Sequence, residues 1–167
     1  MSANRLLFYA LSLFTAVLLQ TSVLSRLSFL GARPDLVLVV VVCLALSNGP
    51  AVGMLAGFGG GLVLDALSDH VLGLLALVFC VIGYFAGIVR SYLDRLATTT
   101  PMLFVGVAAA LATLAFAALS ALLGDQRVTG PVLARSVGLG ALYDVALTPF
   151  VFSAVAAITR RTEPDRW

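Results

Sequence analysis

Long stretches of apolar residues make up most of this chain, and short polar connections separate them. A helix needs about 20 such residues to cross the hydrocarbon core of a bilayer. The pattern therefore predicts an all-α integral membrane protein, a single transmembrane domain over residues 1–167. The expected bundle of six transmembrane helices has its crossings at about 6–24, 34–47, 50–67, 71–90, 101–123 and 136–158.

Two of the six stretches allow a second interpretation. The first follows Arg5 and resembles a signal peptide, but it is long for one and ends without a small-residue cleavage pattern, so we predict a retained helix. The second, at 34–47, is short enough to be a re-entrant segment. We prefer a full crossing, because residues 36–42 are all aliphatic and contain no polar side chain that would line water.

Composition narrows the classes of function. Hydrophobic residues make up 61% of the chain and charged residues 11%, which is typical of a membrane protein, and six crossings within 167 residues leave no room for a soluble catalytic domain. The net charge of +2 does not fit a nucleic-acid binder. His70 is the only histidine, and neither a Ser/His/Asp set nor a metal-ligand cluster stands out. We expect a protein that is not an enzyme and holds no cofactor.

Arginines near the ends of the crossings predict the orientation, because cytoplasmic loops carry an excess of positive charge. With six crossings, both termini lie on one side of the membrane. That side has Arg5, Arg90, Arg95, Arg160, Arg161 and Arg166, and the other side has Arg26, Arg33, Arg127 and Arg135. Six arginines against four predict cytoplasmic termini.

Glycines recur every four residues in the third stretch, and we name this set the glycine ribbon: Gly49, Gly53, Gly57 and Gly61. A four-residue step returns nearly to the same face of a helix, so a second backbone can approach closely along it. Gly83 and Gly87 repeat the spacing in the fourth stretch. The ribbon is predicted to pack against a helix of the same bundle or against a partner's helix.

Two acidic residues fall at membrane depth, where an ionised side chain costs about 2.5–3.5 kcal/mol unless it is paired or hydrated. Asp65 lies near the outer end of the third crossing, where interfacial water is one explanation for it. Asp144 lies deeper, which favours an internal polar pair, a hydrated cavity or a contact with a partner chain. We predict an outer-half polar site made of Asp65, Asp144, Arg33, Asp35, Arg127 and Arg135.

Pro149 lies inside the sixth crossing, and its missing N–H leaves the carbonyl of Val145 without a helical donor. A kink is expected there, close to Asp144. An acid next to a kink suits either a functional pocket or a purely structural role.

Several short motifs occur in a fixed order along the chain. They are Pro34-Asp35-Leu36 before an aliphatic run, Gly49-x3-Gly53-x3-Gly57-Phe58, Gly61-Leu62-x2-Asp65, Leu72-Gly73-x2-Ala76-Leu77, Gly83-Tyr84-x2-Gly87, and Leu142-Tyr143-x5-Pro149 before Arg160-Arg161. Taken in order, these motifs resemble the family of the rod shape-determining protein MreD, and the resemblance is most specific between Pro34 and Gly87.

This resemblance implies a membrane scaffold of the bacterial elongasome, which supports side-wall peptidoglycan synthesis and rod cell shape from the cytoplasmic membrane. It implies binding to MreC, and direct or indirect association with a class B penicillin-binding transpeptidase, RodA and MreB. The family's fold is similar to the six-helix S component of ECF vitamin transporters. A substrate-binding S component is accordingly the alternative function.

Overall fold

The computed structural model describes residues 3–24, 35–68, 72–93, 100–122 and 138–153. Every regular element in these ranges is helical, which confirms the predicted all-α class for them. The elements are α1 (Ala3–Leu19, continued by a π-helical turn at Gln20–Leu24), α2 (Leu36–Asn48), α3 (Pro50–Ala66), α4 (Leu74–Leu93), α5 (Thr100–Leu122) and α6 (Gly138–Ser153).

A single residue, Gly49, joins α2 to α3. Its φ of 98° lies in the region that glycine adopts readily and other residues avoid. Its N–H donates to the carbonyl of Ala45 at the end of α2, and Pro50 then occupies the first turn of α3, where a missing N–H costs little. The Asn48-Gly49-Pro50 sequence therefore reverses the chain within one residue.

The short helix α2 lies at the centre of the bundle. All ten residues from Leu36 to Ala45 are buried, and α2 contacts α1, α3, α4 and α5. A helix that is apolar all round has no face suited to water, and here it forms the core around which the other helices pack. The full crossing of the bilayer by α2 stays a prediction.

The outside of the bundle is also apolar. Large hydrophobic side chains project from it, among them Leu11, Phe14, Leu55, Phe85 and Leu111, each more than half exposed. Such an exterior is typical of a surface that meets lipid or a partner. Among the described residues, one helical segment, Phe104–Leu122 with a mean hydropathy of 2.2, is long and apolar enough to cross a membrane, and the other apolar helices are shorter. The six-crossing topology and the side of the termini stay predictions.

Candidate functional sites at the buried acids and helix contacts

The glycine ribbon lies against α4 of the same chain. A methyl group added at Gly53 would overlap the backbone of Gly83, and one at Gly57 would overlap the carbonyl of Phe79. At Gly61 the Cα of Ala76 would lie only 2.5 Å from the added carbon. The two backbones are thus in direct contact, and in this arrangement α4 occupies the face that we predicted for a neighbouring or partner helix.

Gly83 and Gly87 on α4 belong to the same α3–α4 contact, whereas the remaining ribbon position, Gly49, has a different role. Gly83 packs back onto Gly53, and Gly87 packs against Pro50 at the start of α3. Gly49 differs, because its role is the turn before α3, and the nearest atom to an added carbon there is Nη1 of Arg90 at 3.8 Å. Small residues on both helices therefore bring α3 and α4 closer together than larger side chains would allow.

Asp65, at the end of α3, caps the beginning of α4. Its Oδ2 accepts hydrogen bonds from the N–H of Gly73 at 2.9 Å and of Ala76 at 3.1 Å, and its Oδ1 accepts from the N–H of Leu75 at 3.2 Å. The side chain is 1% exposed. The interpretation of Asp65 as a carboxylate in interfacial water is therefore wrong, because protein N–H groups replace the water.

The start of α4 explains why the acid comes from another helix. The first N–H groups of a helix have no partner within it, and a Ser, Thr, Asp or Asn at the cap position usually supplies one. Here Gly73 holds that position with a φ of 97° and has no side chain to contribute. A carboxylate from α3 also matches the positive end of the α4 dipole.

Three side chains from three parts of the chain bind the start of α2. Asp35 caps its own helix, since its Oδ1 accepts from the N–H of Leu38 at 3.2 Å. Oε1 of Gln20 accepts from the N–H of Val37 at 2.9 Å. Oδ1 of Asp144, in α6, accepts from the N–H of Asp35 at 2.7 Å. Sequence reasoning missed Gln20, whose position near the end of an apolar helix was its only signal.

The second oxygen of Asp144 has a different environment. The residue is 2% exposed, and no hydrogen bond to its Oδ2 is found within the described ranges. Every fully buried side-chain oxygen in those ranges has a hydrogen-bond partner. Because Oδ2 has none, it is not fully buried and keeps some accessible surface. Asp144 lines a cavity of about 470 Å³ between α2, α4, α5 and α6.

This cavity has two acids at one side and apolar walls elsewhere. Its lining includes Asp35, Asp144, Thr113, Phe79 and Phe116. The hydroxyl of Thr113 donates to the carbonyl of Ala109 at 2.9 Å, which leaves its oxygen as an acceptor. The described polar side chains of the cavity are thus all able to accept hydrogen bonds.

The six members of the predicted outer-half polar site are only partly brought together. Asp35 and Asp144 meet at the start of α2, whereas Asp65 serves the start of α4. Leu75 connects the two places, because its N–H donates to Asp65 and the residue also lines the cavity. Arg33, Arg127 and Arg135 lie outside the described residues.

Pro149 lies within α6, which continues through it to Ser153. The hydroxyl of Thr148, the residue before Pro149, donates to the carbonyl of Asp144, one turn earlier, at 2.7 Å, and Thr148 is fully buried. The kink at Pro149 stays a prediction.

A second hollow runs along the outside of the bundle between α4 and α5. We name it the α4–α5 groove, and its volume is about 440 Å³. Its side chains are entirely apolar and include Leu77, Val81, Phe85, Val107 and Leu111, all well exposed. Buried Ala86 and Ala108 contribute small side chains to the same surface. Small residues of this kind allow another membrane helix to approach the groove closely.

The described part of the chain contains no group of three or more His, Cys, Asp or Glu residues placed to hold a metal ion. Its acids act as hydrogen-bond acceptors that join helices to one another. No individual curated protein and no solved structure matches the chain, so the likeness to an S component stays a prediction. Residues 2–156 of the 167 match the family model of the rod shape-determining protein MreD, and the chain therefore belongs to this family of membrane proteins.

Proposed function

We propose that this chain is a non-enzymatic scaffold subunit of the elongasome in the bacterial cytoplasmic membrane, and that it binds MreC. The family match carries the proposal, because it assigns the chain a role in rod shape determination. The described acids support it, since they serve helix starts and form no recognisable catalytic set. A protein built in this way acts through the lateral faces of its helices.

The α4–α5 groove is the lateral face that we assign to the single membrane helix of MreC. The glycine ribbon is covered by α4, so it offers no surface to another chain in this arrangement. The groove remains open, and its exposed side chains Leu77, Val81 and Phe85 follow one another at four-residue spacing along α4. Such a row forms a ridge, and a neighbouring helix packs with its own ridges beside it.

The apolar chemistry of the groove suits a membrane helix better than a soluble domain. A helix in lipid satisfies its own backbone hydrogen bonds and gains contact area where small residues permit close approach. The class B transpeptidase, RodA and MreB are then associated with this chain directly or through MreC. Together these contacts support side-wall peptidoglycan synthesis.

Co-purification tests the assignment. We expect MreC to be recovered with the tagged wild-type chain after detergent extraction, and Val81→Trp to reduce the ratio of MreC to chain at least fivefold by filling the groove. Leu55→Trp is the matched control, because Leu55 is 55% exposed on α3 and does not line the groove. Equal recovery of MreC with both variants would exclude the groove as the binding surface.

Cell shape provides the functional readout. In cells depleted of the native chain, the wild type and Leu55→Trp should restore rods, while Val81→Trp should leave rounded cells at the same level of membrane protein. The alternative function, an S component, predicts instead that the purified chain supports vitamin uptake into vesicles together with an energising module. Uptake without any effect on shape would favour that alternative.

A further inference from the structure

The cavity beside Asp144 is lined by two acidic residues, one of which is almost completely buried. Asp144 is 98% buried, its Oδ2 has no hydrogen-bond partner among the described residues, and the residue lines a space of about 470 Å³. Asp35 lines the same space from the start of α2. Two carboxylates therefore border one cavity within an apolar bundle, a position where charge is unfavourable unless it is paired or hydrated.

The described side chains supply no positive charge to these acids. The only arginine whose side chain is described is Arg90, near the end of α4. Leu75, which lines the cavity, lies near the beginning of α4, 15 residues away, or about 22 Å along the helix. Neither Asp35 nor Asp144 forms an ion pair with it at that distance.

The described lining also offers no free hydrogen-bond donor from a side chain. The carboxylates accept hydrogen bonds, and the Thr113 hydroxyl already donates its hydrogen bond to the carbonyl of Ala109. As far as the described residues go, the positive charge and the N–H groups for these acceptors would come from a ligand. The other walls, which include Leu38, Phe79 and Phe116, are apolar and suit a hydrocarbon or aromatic body. Aromatic rings near a cation also attract it through their π faces.

We propose that the cavity between α2, α4, α5 and α6 binds an organic ammonium group carried on an apolar body, with Asp144 as its principal acceptor and counter-charge. The volume falls within the range of about 300–1,000 Å³ that is usual for small-ligand sites. Two sources can supply this chemistry: the amine headgroup of a membrane lipid, or a free amphiphilic amine. The site is separate from the proposed MreC contact, because Asp144 does not line the α4–α5 groove.

Binding of 2-phenylethylammonium to the purified full-length chain tests the proposal, with 2-phenylethanol as the uncharged ligand of the same shape. We expect saturable binding of the ammonium compound by calorimetry and a rise in the thermal unfolding temperature. Asp144→Asn should weaken the affinity at least tenfold. This variant keeps an amide oxygen to accept from the N–H of Asp35, so the fold should be retained.

A second variant tests the space and not the charge. Ala112→Leu places a larger side chain in the cavity and should also abolish binding, whereas Ala110→Leu, two residues earlier on α5 and outside the lining, should not. The proposal is overturned if the wild type shows no saturable binding, if 2-phenylethanol binds equally well, or if Asp144→Asn binds as tightly as the wild type.

Lipid composition distinguishes the two sources. In nanodiscs of phosphatidylcholine alone, whose quaternary ammonium headgroup has no N–H to donate to Asp144, the probe should bind with its full affinity. Adding phosphatidylethanolamine should reduce the apparent affinity at least fivefold if the natural occupant is a lipid headgroup, because the lipid amine competes. Unchanged affinity would identify the occupant as a free amine, and both results agree with an ammonium site.

Discussion

The helix α4 meets its two neighbours, α3 and α5, in opposite ways. Toward α3 its backbone touches glycine backbone, and Asp65 uses both of its oxygens on the N–H groups at the start of α4. Toward α5 it leaves the α4–α5 groove on one side and the Asp144 cavity on another. Asp65 and Asp144 are almost equally buried, so burial alone does not identify the acid with capacity for a ligand. The two acids differ in how many carboxylate oxygens accept a hydrogen bond within the described residues: both in Asp65, but only one in Asp144.

The largest effect is expected at Gly57, within the tight contact. Gly57→Leu would drive a side chain into the carbonyl of Phe79, and backbone cannot move aside as a flexible side chain can. Overpacking costs about 1–3 kcal/mol where side chains can adjust, and we expect a greater loss here. The variant should fail to accumulate as a monodisperse protein in size-exclusion chromatography.

Gly59→Leu is the control for that experiment. Gly59 lies on the same helix, and nothing lies within 4 Å of a carbon added there. This variant should accumulate normally. If both variants accumulate equally, the α3–α4 contact is not as tight as described.

The next effect in size is expected at Asp65. Asp65→Ala removes the acceptor of three N–H groups, those of Gly73, Leu75 and Ala76, and should reduce the free energy of unfolding by about 2–4 kcal/mol. Asp65→Asn should recover part of the loss through its one remaining oxygen. Chemical unfolding in detergent micelles measures both, and an unchanged unfolding curve for Asp65→Ala would contradict the capping role.

A smaller effect on the free energy of unfolding is expected at Asp144, which lines the cavity. Asp144→Asn still accepts from the N–H of Asp35, so its free energy of unfolding should change by less than about 1 kcal/mol. Asp144→Ala should lose about 1–2 kcal/mol. The same unfolding assay checks the order, and a larger loss at Asp144 than at Asp65 would reverse the comparison between the two acids.

The smallest effect is expected at Gly106 in α5. A carbon added there would meet Cγ2 of Val145, a side-chain atom in α6, at 2.6 Å. The valine can shift, and alanine gains about 1 kcal/mol of helix propensity over glycine. Gly106→Ala should therefore change the free energy of unfolding by less than about 1 kcal/mol. A loss comparable to that of Gly57→Leu would show that α5 and α6 are packed as tightly as α3 and α4.

Sequence patterns predicted the helices well because apolar runs and prolines are local signals. The run after Pro34 became α2, and Pro50 begins α3 as its position suggested. The central place of α2 was not predictable in the same way. A helix with aliphatic residues on every side has no polar face to orient it, so lipid and protein neighbours suit it equally until the other helices are placed.

Local sequence patterns could not predict which N–H groups the acids bind. Asp65 and Asp144 stood out by their depth, but what each binds depends on which helix start lies beside it. One signal was available for Asp65: α4 begins after Gly73, which has no capping side chain, and an acid precedes it by eight residues. Gln20 offered no comparable signal, because its acceptor role depends on where α1 meets α2.

The bond between Asp35 and Asp144 has a consequence for the order in which the protein is made. The two residues are 109 positions apart in the chain. At about 5–20 residues per second, the ribosome needs roughly 5–20 s to reach Asp144 after it has passed Asp35. Throughout that interval the N–H of Asp35 has to rely on water or the translocation machinery for an acceptor. The start of the central helix is thus synthesised early but gains this acceptor late, after α6 has been made.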